Sequence, residues 1–214
     1  MNTENQFSRI VEHLLAGGFI CEHSDELAYE YLSVDTRRSD IDSYLRKIGR
    51  CLYATEGSVA FYAAYTSIDS NDRRQDVRSQ FRETINSLEP LCRWLRLLAS
   101  ALQSEATLQP GDVLRQGELL NALGEAPALS EDLAGLCRSG LFYSKKLATS
   151  EQLEVVLAKL VDQGYLLRNT ATGSLFTATG KWSYLYDVLE FIHTHETISA
   201  ENDESREEQV DLPL

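Results

Sequence analysis

The sequence predicts a helix-rich α+β protein built twice on one plan. Two stretches and one absence predict it. The first stretch, 149–177, reads TSEQLEVVLAKLVDQGYLLRNTATGSLFT. Leu153, Val156, Leu157, Leu160 and Val161 recur at i, i+3, i+4, i+7 and i+8, one apolar face of a 3.6-residue period. Thr149 and Gln152 have capping-box spacing, and Gly164 sits where a left-handed helix end is needed. Runs 165–168 and 174–177 are short and β-prone, with turn chemistry at 169–173. The second stretch repeats this grammar upstream. Ser39 is placed to cap a helix carrying Ile41, Tyr44, Leu45 and Ile48, Gly49 ends it, and 51–54 and 58–65 are strands around Thr55-Glu56-Gly57. Helix, glycine stop and hairpin form the back half of a winged-helix domain. The absence is of any nucleophile elbow or glycine-rich phosphate loop, so no enzyme activity is expected.

The remaining elements follow in chain order. Phe7, Ile10, Val11 and Leu14 mark a first helix, stopped by Gly17-Gly18, with a short strand at 19–21. Leu27, Ala28, Tyr31 and Leu32 mark a second helix starting near Ser24 or Asp25. Residues 5–66 therefore make an N-terminal winged-helix domain. A helical linker, 67–106, follows. Val77, Phe81, Ile85 and Leu88 line one helix, Pro90 breaks or kinks the chain, and Leu91, Leu95, Leu98 and Leu102 line another. The C-terminal winged-helix domain, 107–198, opens with strand and turn at 107–113. It has short helices at 118–123 and from Ser130 through Leu133, Leu136 and Cys137 to Gly140, with a loop at 126–128 between them. It closes on a helix from about 180 to 195 carrying Trp182, Leu185, Leu189 and Ile192. An acidic tail, 199–214, is expected to be disordered.

Composition narrows the function. Apolar content is 43% and charged content 25%, as in ordinary globular proteins. No run is long and apolar enough for a membrane span, and MNTENQFSRI lacks a secretory signal's charge and apolar core, so the cytoplasm is the expected compartment. Cys21, Cys51, Cys92 and Cys137 lie apart within apolar runs and read as free thiols. The formal charge is −13, which argues against strong autonomous binding of nucleic acid.

Candidate sites are sparse. His13, His23, His193 and His195 form no four-ligand zinc pattern, so no metal or cofactor is expected. Arg46, Lys47 and Arg50 on and after the third helix of the first unit, and Lys145, Lys146, Lys159 and Arg168 in the second, are candidate DNA contacts. Asp40, Asp42, Glu151, Glu154 and Asp162 stand beside them and favour solvated faces or protein contacts. Arg73, Arg74, Arg78 and Arg82 along the linker form either an ion-pair-laced face or a groove for an acidic partner segment. In the first hairpin, Tyr53, Phe61, Tyr62 and Tyr65 concentrate aromatic surface. Strand alternation puts Phe61 and Tyr65 on one face and Tyr62 on the other, where it is either a subunit contact or buried under the linker helices.

LLAGGFICE at 14–22, DSYLRKIGRCLY at 42–53, VAFYAAY at 59–65 and LQPGDVLRQGELLNAL at 108–123 resemble the MukE/MksE-type subunits of bacterial condensins. These belong to the kleisin-interacting tandem winged-helix (KITE) proteins, and the resemblance covers roughly residues 7–195. It implies a non-catalytic, dimeric subunit that binds a MukF/MksF-like kleisin and, through it, an SMC-like ATPase on the nucleoid. The role implied is chromosome organisation or plasmid defence, with DNA touched weakly or within the complex. Tyr53, Phe61, Tyr62, Tyr65, Arg73, Arg74, Arg78 and Arg82 are then candidate kleisin or dimer contacts. The rival reading is a winged-helix transcription regulator.

Overall fold

The computed structural model describes the backbone of residues 3–67, 71–104, 106–169 and 173–208; the side chains at 3, 4, 72, 73, 76–78, 80, 81, 83 and beyond 194 lie outside that description. The described chain is helix-rich with two small antiparallel sheets. Its first half comprises α1 (Thr3–Leu15), β1 (Ile20–Cys21), α2 (Glu26–Ser33), α3 (Asp35–Lys47), β2 (Arg50–Ala54) and β3 (Ala60–Tyr65). The long α4 (Asn71–Leu102) leads to β4 (Val113–Arg115), α5 (Gln116–Glu125), α6 (Pro127–Leu136), α7 (Thr149–Asp162), β5 (Leu166–Arg168), β6 (Leu175–Ala178) and α8 (Lys181–Glu208). The sheets have matching strand orders, β1-β3-β2 and β4-β6-β5.

The glycine stops act as expected. Gly49 and Gly164 both have φ 75°. At the end of α7, the Gly164 amide donates to the Val161 carbonyl at 2.9 Å and the Tyr165 amide to that of Leu160 at 2.8 Å. This double bond pattern closes the last turn and aims Tyr165 into the hairpin. Asp25 caps α2, its carboxylate accepting from the Ala28 amide at 3.0 Å, and Arg9 pairs with it across from α1 at 2.5 Å.

Several boundaries differ from expectation. α3 begins at Asp35, leaving Ser39 inside the helix and not at its cap, because no glycine or proline interrupts 35–39. No side chain caps α7; Gln152 is buried and donates through Nε2 to the Lys146 carbonyl at 2.9 Å. Pro127 does not lie in a loop but opens α6 at N1, where its missing amide costs nothing. Pro90 does not divide the linker, since α4 continues through it. Its ring lies near Gly140 of the 3-10 turn before α7, so packing against the second half holds the helix across the lost hydrogen bond.

Two cores result. The first gathers Ile10, Leu14, Ile20, Leu32, Ile41, Leu45 and Phe61. The second is larger, with Leu119, Leu133, Phe142, Leu157, Leu160, Phe176, Trp182 and Leu185, and it also takes Leu91, Trp94, Leu97 and Leu98 from α4. The buried stripe of α4 therefore runs through Trp94, while Leu102 is 40% exposed. Cys21, Cys51 and Cys137 are buried and Cys92 partly so, all as free thiols.

Candidate partner-binding surfaces and the junction between the halves

α8 has two working faces. Trp182 and Leu185 enter the second core, while the other face meets the first sheet. In β3, Phe61 points into the first core and Ala60 and Tyr62 point away from it, toward α8. Tyr62 stacks on Phe19 at 5.3 Å and on its cross-strand partner Tyr53 at 5.9 Å, and meets Tyr184 edge-on at 5.1 Å. Beyond the aromatics, the Glu56 amide at the first hairpin's tip donates to Asp187 Oδ2 at 3.3 Å. Burial, then the neighbouring Tyr184, push the Tyr62 phenol up to about 12; burial likewise raises Tyr184.

Glycines make this contact close enough to form. A Cβ on Gly180 would stand 2.6 Å from Ala60 Cβ and 2.8 Å from Cys21 Cβ. Gly111, at φ 92°, would put its own 2.5 Å from His23 Nε2. Here the second half touches the first at two points through backbone alone. Sequence reading passed over both glycines as element boundaries. No local signal marked either one: Thr179 supplies the ordinary cap of α8, its hydroxyl accepting from the Lys181 amide at 3.2 Å, and what Gly180 rests on lies far away in sequence.

The wing aromatics do not share one environment. Phe61 is 2% exposed and belongs to the first core, so it is not available to a partner. Tyr62 is half-buried, packed on Phe19, Tyr53 and Tyr184, and lines a cleft that Thr84 and Ser87 of α4 also border. Tyr53 is 48% exposed, and Tyr65 is half-buried beneath the Arg50 guanidinium, 3.5 Å from the ring centre.

The basic residues divide. Arg46 donates to Asp42 at 2.6 Å, Lys146 pairs with Glu151 at 2.8 Å, and Arg168 pairs with Glu154 while lying over Phe176. Burial lifts the Asp42 carboxyl, but hydrogen bonds from Arg46 and from the Leu52 amide (2.9 Å) outweigh it and hold the pKa below 3.8. Lys47, Lys145 and Lys159 are exposed. Arg74 and Arg82 are exposed on α4 around a shallow depression of about 500 Å³. The side chains of Arg73 and Arg78 lie outside the described residues.

An apolar groove of about 360 Å³ runs between the end of α4 and β4. Leu95, Leu98, Leu102, Leu108 and Val113 line it, with Arg96 and Asp112 at its polar positions. β4 is an edge strand, and among the described residues no strand pairs with its outer side. No described helix is long and apolar enough to cross a membrane.

The family model described as condensin complex protein MksE matches residues 5–189, across both cores and both sheets. The chain belongs to that family. Among curated proteins, none matches it in sequence.

Proposed function

We propose that this chain is a non-catalytic accessory subunit of a bacterial condensin that grips the kleisin and, through it, regulates the SMC-like ATPase, in chromosome organisation or plasmid defence. In this reading both halves are winged-helix domains, and α4 links them while lending its C-terminal half to the second core. The location is the cytoplasm, at the nucleoid.

The observation that carries the reading is the groove beside β4. It offers apolar surface for alternate side chains of an extended segment and an unpaired strand edge for its backbone, the two requirements of strand addition. Paired cations support the choice of a polypeptide over DNA. Arg46, Lys146 and Arg168 already have carboxylate partners in a chain of charge −13. Any counterion release on a duplex would first cost these pairs. Tyr53, the most exposed of the wing aromatics, joins two copies in this reading.

Hydrogen exchange of the chain with and without the kleisin's central segment tests the seat. Protection is expected over 95–114. Protection confined to α3 and α7, or none, contradicts it. Light scattering tests the dimer: twice the chain's 24.1 kDa is expected, and a monomer at micromolar concentration contradicts it.

A further inference from the structure

We propose that the cleft between the two halves binds a small organic anion, one that joins a planar ring to a phosphate or carboxylate. The cleft, of about 510 Å³, opens between the end of α1, strands β2 and β3, Thr84 and Ser87 of α4, the C-terminus of α7 and the start of α8. That volume is in the range of small-molecule sites, roughly 300–1,000 Å³.

Its charge runs against that of the protein. The sequence has 33 acidic residues against 20 lysines and arginines, yet the lining holds Lys181 and Arg50 and, among the described residues, no aspartate or glutamate. Among the described residues neither cation has a carboxylate partner. Lys181 Nζ gives one of its three donors to the Gln163 carbonyl at 2.6 Å. Arg50 lies on the Tyr65 ring. Asp187, further along α8, is turned to the Glu56 amide. Burial holds the Lys181 amine below the usual lysine range, so an arriving anion meets a partly desolvated cation. The first turn of α8 contains no acid, and its amide dipoles add to the positive field.

The walls suit a ring. Phe19 and Tyr165 lie 5.4 Å and 4.9 Å from Lys181 Nζ, and Tyr62 and Tyr184 line the same cleft. Flat aromatic faces beside cations hold planar anions by stacking and charge together. The competing account is that Lys181 only caps the end of α7 through Gln163.

Titration calorimetry of the full chain at fixed ionic strength separates the two accounts. The probes are AMP, 4-hydroxybenzoate and inorganic phosphate. At least one ring-bearing probe is expected to bind 1:1 and at least tenfold tighter than phosphate, and the tighter of the two identifies the anionic group. Lys181→Gln and Arg50→Gln should each weaken it about tenfold, while Arg138→Gln, at an exposed arginine outside the cleft, leaves it unchanged. No binding of either ring-bearing probe at millimolar concentration overturns the proposal. So does an equal loss in Arg138→Gln, or a Lys181→Gln protein that melts earlier with its affinity intact. If Lys181→Gln does not fold, Arg50→Gln, at a half-buried strand end, carries the test alone.

Discussion

The Gly180 amide points at the Cys21 thiol, 3.2 Å away and 159 residues distant in sequence. A sulfur is a weak acceptor, so the bond itself contributes little. What it marks is a place where backbone from the second half rests on the first sheet without an intervening side chain.

That contact fixes the first prediction. Gly180→Ala would drive a methyl into Ala60 Cβ and Cys21 Cβ, atoms fixed to strand backbone that cannot swing aside. The expected cost is about 1–3 kcal/mol, the usual scale of overpacking. It should appear as a lower denaturant midpoint. An unchanged midpoint would mean that the halves do not rest on each other at this point.

Removing Phe176 should cost more. Its ring is fully buried in the second core, beneath Arg168. Phe176→Ala is expected to destabilise by about 3–5 kcal/mol, read in the same denaturant titration. A loss below about 1 kcal/mol would remove the second hairpin from the core.

Acid should weaken the first half through Asp42. Its pKa is held below 3.8 in the folded chain, so its contribution is present above the unfolded value and is lost as pH falls through the folded one. Solvent reaches the Arg46 pair, so the amount is about 1 kcal/mol or less. Stability measured from pH 6 down to pH 3 should fall less steeply in Asp42→Ala than in the native chain.

Alkali should act on the junction with two opposite signs. Tyr62 titrates at about 12 when folded, so above pH 10 the unfolded phenol ionises first and stability falls as pH rises. Lys181 is depressed when folded. The folded chain therefore binds fewer protons below the unfolded lysine value, and stability gains as pH climbs toward 10.5. Tyr62→Phe should flatten the fall above pH 10, and Lys181→Gln should remove the gain below it, both followed by denaturant midpoints between pH 8 and 11.

Much of this architecture was legible in the chain. The periodicity of 153–161 and the stops at Gly49 and Gly164 placed both hairpins within a residue or two, because local geometry decides them. The start of α3 was not legible, since Ser39 looks like a cap whether or not the helix has begun earlier. Pro90 misled for a related reason: packing against the Gly140 turn, invisible in the sequence, overrides a local breaker. The junction was hidden most. Tyr62 and Tyr184 are far apart in sequence, and strand alternation could say that Tyr62 faces away from Phe61 but not what would cover it.

The account's central claim is that this fold seats another polypeptide in the groove beside β4. Co-expression with a kleisin of the condensin type, followed by size-exclusion chromatography with light scattering, tests it most directly. The account predicts a stable complex that is weakened at least tenfold by Leu102→Glu with Val113→Glu, two side chains exposed in the groove. A chain that elutes alone, while holding duplex DNA tightly at physiological salt, would contradict it.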